Sequence, residues 1–404
     1  MILVMLCAGC ARLFGLDPPH VAEDDAQVPD VPPPCASNTD CPDQAAPLCD
    51  IAIGMCVECV ASTDCTATAP ICDPGTHTCV TCELHSDCPT SHVCRPDGTC
   101  ADANSIVYVD GATGADVGTC TLAAPCLTIT YAMSQAAGRT TIKLAGTIND
   151  CVSIGGSVWT WLADPGTKLT PTCTSSTVNL SGGVDLVIYD LEIDGQVNAS
   201  AVFSSSSTLR VYRSRVANAG NVGFDVRGGT LVISRTTVIG NTGGGILTDG
   251  SATFDIENSF IVRNGTTTSH GGVFLGAMSA GNNRFEFNTV VDNQGKGDTD
   301  PRTAGVGCQS STLDVPNNLI ARNNSASGID NTSASGCTFS RSLVQVDTSA
   351  LAFGNDATAP YDYHIGASSI ARDNAYPSSI SIDVDGQHRP SGVANDFGAD
   401  EHLP

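Results

Sequence analysis

Apolar and polar positions alternate from Leu186 to Asp347, and one eleven-residue phrase carries the alternation throughout. It reads LVIYDLEIDGQ from Leu186, LRVYRSRVANA from Leu209, LVISRTTVIGN from Leu231 and FDIENSFIVRN from Phe254. It continues as NRFEFNTVVDN from Asn283, LDVPNNLIARN from Leu313 and CTFSRSLVQVD from Cys337. Successive starts lie 23, 22, 23, 29, 30 and 24 residues apart, and variable Gly, Ser and Thr-rich connectors fill the gaps. Alternating β-branched and apolar residues predict strands. A coil of roughly 22 residues is too short for a helix-crossover unit of about 30, but it holds two or three short strands joined by bends. Stacking such coils in register gives an all-β solenoid, a parallel β-helix, each strand pairing with its counterparts about 4.8 Å away.

The last phrase position supports that register. It is Asn241, Asn264, Asn293 and Asn323 in four consecutive coils, flanked by Gln196, Ala219 and Asp347. Stacked Asn at a corner tolerates left-handed backbone and lets amides hydrogen-bond along the axis, so a structural Asn column is expected rather than a ligand groove. One position earlier, Arg263, Asp292 and Arg322 alternate in sign and read as a charge ladder on a solvated face. Cys151 and Cys173 are 22 residues apart, and Cys308 and Cys337 are 29 apart. Both spacings are single coil lengths, so each pair is expected to bridge neighbouring coils.

Composition divides the rest of the chain. Of 20 cysteines, twelve lie between Cys35 and Cys100, in three units that start at Cys35, Cys59 and Cys82. The units have little else to form a core, so two disulfides each are expected, with their connectivity open. Cys56-x-x-Cys59 and Cys79-x-x-Cys82 have zinc-ligand spacing, but they fall at unit junctions and disulfides are the preferred reading. Asp40, Asp64 and Asp87, before the second cysteine of each unit, read as turn residues rather than calcium ligands. The cysteine count implies an oxidising compartment.

The formal net charge is -24, and Asp17 to Asp102 holds fifteen acidic residues against one basic residue, Arg95. That balance repels nucleic acid, which is excluded as a partner. Residues 11–34 are Pro-rich and acidic and read as a solvated tether. No stretch has the roughly 20 apolar residues of a membrane span.

Four stretches resemble known families. The opening MILVMLCAGC resembles the lipobox of bacterial lipoproteins, which implies cleavage and lipid attachment at Cys10, although Cys7 stands where that pattern usually has Leu. The cysteine-rich units look like the repeats found in stalks of secreted proteins. IVYVDGATGADVGTCTLAAPCLTITYAMSQA from Ile106 resembles the opening of the pectin-lyase-like right-handed parallel β-helices. That resemblance implies a capping helix over Tyr131 to Ala137. Cys126 stands where the family usually has an aromatic, and a Cys120 to Cys126 bridge is expected to replace its packing. Asp385, Gly386, Arg389, Pro390, Asp396, Gly398, Ala399 and Glu401 resemble the last coil of the choice-of-anchor Q proteins. With no sorting tail after Pro404, anchoring is expected at the N-terminus. The expected organisation is a signal segment at 1–10, a tether at 11–34 and three cysteine-rich repeats at 35–101. A β-helix with an N-terminal cap and a C-terminal closing coil then fills 105–404.

The pectin-lyase-like resemblance brings polysaccharide lyases into view, which use a Lys or Arg base, commonly with calcium held by carboxylates. Lysine is limited to Lys143, Lys168 and Lys296, and only Lys296 sits in an expanded connector, beside Asp298, Asp300 and Arg302. The connector of the preceding coil brings His270 near it, so these five residues are the catalytic candidates. Asp190, Glu192 and Asp194 alternate on one strand, but a solvated strand edge explains them equally well. The first reading is therefore a surface-anchored, non-enzymatic protein, in which a disulfide-rich stalk presents the β-helix to an extracellular polysaccharide or cell-surface glycan. A tethered polysaccharide lyase or glycoside hydrolase is the alternative, and a structural envelope spacer is a third. A monomer is expected, held at a bacterial outer membrane or cell surface by its lipid anchor, with no metal site and no cofactor other than calcium in the lyase case.

Overall fold

The computed structural model describes residues 34–403 except 277–280, 282, 298–302, 310–312, 334–335 and 346–349. The chain divides into two compact units, one from Met1–Thr66 with Pro70–Val80, the other from Ala67–Ala69 with Thr81–Pro404. Cys10 and nearly all of the tether lie outside the described residues.

The first unit holds two of the cysteine-rich repeats. Each folds as a short antiparallel hairpin, Leu48–Asp50 with Met55–Val57 and Ile71–Cys72 with Cys79–Val80. Within each repeat the first cysteine joins the third and the second joins the fourth: Cys35–Cys49 and Cys41–Cys56, then Cys59–Cys72 and Cys65–Cys79. The buried cluster of the first repeat consists of cysteines alone, so covalent bonds stand in for apolar burial. Asp40 Oδ2 accepts the Ala36 and Ser37 N–H groups, Asp64 Oδ2 those of Val60 and Ala61, and Asp87 Oδ2 those of Glu83 and Leu84. Each carboxylate closes a turn.

The third repeat has the same pairing, Cys82–Cys94 and Cys88–Cys100, but falls in the second unit. Its Val93, with Ala101, packs on Ile106, Tyr108 and Leu162, and Tyr108 donates its hydroxyl proton to Ser91 O at 2.8 Å. The block 35–101 drawn from cysteine spacing is therefore split. Spacing is uniform across the three repeats, whereas the apolar residues that dock the third belong to the β-helix.

That β-helix is a right-handed parallel solenoid. A nine-stranded sheet runs from Thr147–Asn149 through Glu192–Asp194, Arg215–Ala217 and Phe260–Val262 to Leu343–Gln345. The remaining two faces merge into one larger sheet, because strands such as Val202–Tyr212 and Val222–Ser234 run through both. Leu186 pairs with Leu209, Leu209 with Leu231, Leu231 with Phe254, and Ile256 with Phe285, so the phrase register is the strand register. One face of each strand fills the interior with Leu, Ile, Val and Phe. The helix at the open end is Ile129–Ser134, starting two residues and ending three residues earlier than the resemblance implied. Thr128 caps it by accepting the Tyr131 N–H, and Ala137 and Gly138, both with positive φ, follow its end. Cys120–Cys126, Cys151–Cys173 and Cys308–Cys337 are disulfide-bonded.

Bends occur at phrase positions five and ten. Asp190, Arg213, Arg235, Asn258, Phe287 and Asn317 at the first, and Asn218, Gly240, Arg263, Asp292 and Arg322 at the second, have positive φ. The left-handed residue is thus the one before the Asn column, not the Asn itself. The reason lies in the amide: Asn264 Oδ1 accepts both the Asn241 N–H and its Nδ2–H (2.9 Å for the side-chain bond), and the pattern repeats to Asn293, Asn323 and Asn331. Asn241, Asn264, Asn293 and Asn323 are wholly buried, and their column satisfies corner backbone groups that no strand reaches. A second column of Ser214, Thr236 and Ser259, then Asn288, Asn318 and Ser342, does the same at the other corner.

Residues 351–399 do not stack as a final coil. They lie along the outside of the nine-stranded sheet, where Leu351, Tyr363, Ile365 and Phe397 cover Phe260, Val262, Phe287 and Leu319. The docking is locked by Arg389, wholly buried against Glu401 at 2.9 Å, which also donates to the Gly398 and Ala399 carbonyls. The charge ladder is a clamp on this segment rather than a solvated face. Arg322 pairs with Asp292 at 2.6 Å and with Asp356, while Tyr363 donates to Asp292 at 2.7 Å and accepts from Arg263 at 2.9 Å. Burial and Asp292 raise the Tyr363 pKa, which keeps this hydroxyl protonated and donating.

Candidate functional site

Where the C-terminal segment stops covering the nine-stranded sheet, the sheet's outward residues change from apolar to charged. Lys168, Glu192 and Arg215 succeed one another at one position, with Asp194 two residues beyond Glu192. Lys168 Nζ lies 2.8 Å from Asp194 and 3.2 Å from Glu192, and Arg215 lies 2.7 Å from Glu192. Both acids are therefore neutralised by cations, which removes them as a general acid and base pair.

The bend beside this strip carries Asp190, Arg213 and Arg235. Arg213 grips Asp190 with two bonds of 2.8 and 2.6 Å, and its guanidinium lies 5.2 Å from the centre of the Tyr189 ring. Tyr189 and Tyr212 stack with centroids 4.9 Å apart. Arg235 differs from its neighbours. Its Nε donates to Val384 O at 3.0 Å, and no carboxylate lies within ion-pair distance among the described residues. Burial and the nearby Arg213 charge lower its pKa, an environment that favours an incoming anion.

Two clefts meet here. One, of about 760 Å³, lies between the third cysteine-rich repeat (Glu83, His85, Arg95) and Asp164, Asp190 and Arg213. The other, of about 420 Å³, runs from Asp190 and Arg213 past Arg235 to His364 and Asp385. Shared walls at Asp190 and Arg213 make them one trough along the bend. Lys143 lies behind the first cleft, buried and 2.6 Å from Asp164; burial lowers its pKa. His85 is pushed down by burial and then by Lys143, and its Nδ1 accepts the Cys94 N–H at 3.0 Å, so the ring is neutral.

At the far end, His364 sits among carboxylates. Its Nδ1 lies 2.5 Å from Asp362 Oδ1 and its Nε2 3.1 Å from Asp385 Oδ2. Asp385 and then Asp362 outweigh desolvation and push the imidazole up to about 9. Asp400, nearly buried, is pushed up to about 6 by desolvation.

The residues chosen from sequence lie elsewhere. His270 is half-buried, its ring 6.5 Å from that of Phe274, and Lys296 is exposed. The Lys296 N–H donates to Ser269 O at 2.8 Å, so the two connectors do run side by side. Asp298, Asp300 and Arg302 lie outside the described residues. Sequence reading missed Arg213 and Arg235. Their signal was present: the aligned phrases place Tyr189 above Tyr212 at position four and Asp190, Arg213 and Arg235 at position five. The His364 group had no such signal, because it depends on how the C-terminal segment docks.

No curated protein sequence matches the chain. Among solved structures it is similar to the crystal structure of pectate lyase Pel9A, with 16% identity and a TM-score of 0.46 over 75% of this chain and 100% of that one. Residues 200–358 match the family model described as right handed beta helix region, the part of the chain in which the phrases repeat.

Proposed function

We propose that the protein is a surface-displayed, non-enzymatic glycan-binding module, with the trough along the Asp190, Arg213 and Arg235 bend as its binding surface. The observation that carries this reading is the continuity of the two clefts through Asp190 and Arg213. An extended polymer needs a long open track, and this one offers paired charges, stacked tyrosines and one arginine without an acid partner among the described residues. Saccharide hydroxyls suit the first two features, and a sugar carboxylate suits the third. A pure envelope spacer requires no such track. The disulfides mark an extracellular or secreted protein. Display through a lipidated Cys10, an acidic tether and cysteine-rich repeats, and membership of the choice-of-anchor Q group, complete the proposal.

The second reading, a polysaccharide lyase or hydrolase with calcium in the lyase case, draws on the adjacency of the His270 and Lys296 connectors. One experiment separates the two. The protein is offered a panel of neutral and uronate polymers with calcium, recording binding and unsaturated-product absorbance near 235 nm. Binding without product, weakened about tenfold or more by Arg235→Ala and unchanged by Lys296→Ala, is the expected result. Product release abolished by Lys296→Ala would replace the binding module with a lyase. Absence of binding to every polymer would remove the glycan reading.

A further inference from the structure

We propose that His364, Asp385 and Asp400 form a binding site for a divalent transition-metal cation of the zinc class, with an open coordination position facing the trough. One imidazole nitrogen and two carboxylate oxygens from these residues lie within 4.8 Å of one another, close enough to share an ion. They come from three separated parts of the C-terminal segment: the strand Asp362–Ile365, the turn at Asp385 and Gly386, and the closing residues. Chain-local turn geometry does not bring such residues together.

The imidazole is arranged as a metal ligand would be. Asp362 Oδ1 holds Nδ1 at 2.5 Å, which fixes the ring and aims Nε2 at the other two carboxylates. A carboxylate on the remote nitrogen is the usual outer support of a metal-bound histidine. Nε2 exposes less than 1 Å² and has no aligned hydrogen-bond acceptor, its nearest carboxylate oxygen being that of Asp385 in an ion pair at 3.1 Å. Asp400 is 5% exposed, and its Oδ2 is held by the Ile365 N–H at 2.7 Å. This buried carboxylate is thus oriented before any ion arrives.

The donor set selects the ion. Calcium and magnesium take oxygen donors almost exclusively, whereas one imidazole with two carboxylates suits zinc and its neighbours. Three protein ligands leave the fourth tetrahedral position open. His364 and Asp385 both line the 420 Å³ cleft, so that position faces it, available to water or to an oxygen of a bound ligand. Loading would also tie the strand, turn and closing residues together. The site stands apart from the glycan reading, since its test contains no polymer.

The full chain, stripped with a chelator, is titrated with zinc, and separately with calcium and magnesium, by calorimetry with metal analysis after dialysis. His364→Gln and Asp385→Asn are run in parallel, with circular dichroism to establish folding. The expected result is one zinc equivalent retained by the parent chain, with affinity about 100-fold weaker in both variants and a rise in melting temperature on loading confined to the parent. Should His364→Gln fail to fold, Asp385→Asn, which alters a half-exposed carboxylate, decides. No zinc uptake, or equal uptake in the folded variants, overturns the site and leaves an imidazole paired with carboxylates. Preference for calcium over zinc overturns the assigned ion class.

Discussion

At the scale of single residues, side-chain hydrogen bonding explains what strand pairing cannot. Asn293 donates to the Ile261 and Val291 carbonyls and to Asn323 Oδ1, while its own oxygen accepts two bonds from Asn264. Asn293→Ala leaves several buried groups unpaired and is expected to cost on the order of 3 kcal/mol, read as a lowered denaturation midpoint. A loss within measurement error would show that water replaces the column. Its position was legible in the sequence because the phrase ends in the same letter four times. Its role was only half legible, because the left-handed backbone belongs to the preceding residue, where Asn218, Gly240 and Asp292 favour that conformation but Arg263 and Arg322 interrupt the signal. The turn aspartates give a pH prediction. Backbone N–H groups, first those of Ala36 and Ala61, hold Asp40 and Asp64 below the ordinary carboxylate value of 3.8. A depressed carboxylate contributes stability above its unfolded pKa and loses it as the pH falls through the folded one. Carboxyl carbon titrations should therefore place both below 3.8, and an ordinary value would mean the turns open in solution.

At the scale of elements, the solenoid and its outer cover are distinct packing systems. The interior cluster and the cluster under residues 351–399 share no residue. Arg389 and Glu401 are both fully buried, and removing one partner of such a pair costs about 3–5 kcal/mol. Arg389→Ala should therefore release the C-terminal segment while leaving the coils intact. Hydrogen exchange is expected to rise across 351–399 and over the outer strands it covers, but not in Val202–Tyr212; a uniform rise would mean that cover and solenoid unfold as one. The residues from Asp385 to Glu401 read in sequence as a last coil, whereas in the structure they belong to the outer cover. The contrary clue was the ninth phrase position, which reads Ile239, Val262, Val291 and Ala321 on the outward side of the sheet. Outward apolar residues in consecutive coils require a cover.

At the scale of the whole molecule, two kinds of repeat reach stability by different physics, and that difference is testable. The solenoid buries a long apolar interior, so its fold was readable from periodicity alone; repetition encodes stacking locally. The trough was not readable, because its walls come from the third cysteine-rich repeat, the bend residues and the docked C-terminal segment. These are distant in sequence and joined only by tertiary packing. The first two cysteine-rich repeats lack an apolar interior, and four disulfides hold them. Closing loops with sequence separations of 13 to 15 residues contributes roughly 3 kcal/mol each in the chain-entropy account, which exceeds what their small buried area supplies. Under mild reductant the Cys35–Val80 region should therefore lose protease resistance first. The solenoid, whose Cys120, Cys126 and Cys308 are wholly buried, should keep its far-ultraviolet strand signal and its protected core. Limited proteolysis with thiol labelling, read by mass spectrometry, follows both at once. Simultaneous loss would mean that the coils lean on their own bridges, Cys151–Cys173 and Cys308–Cys337, as heavily as the small repeats lean on theirs.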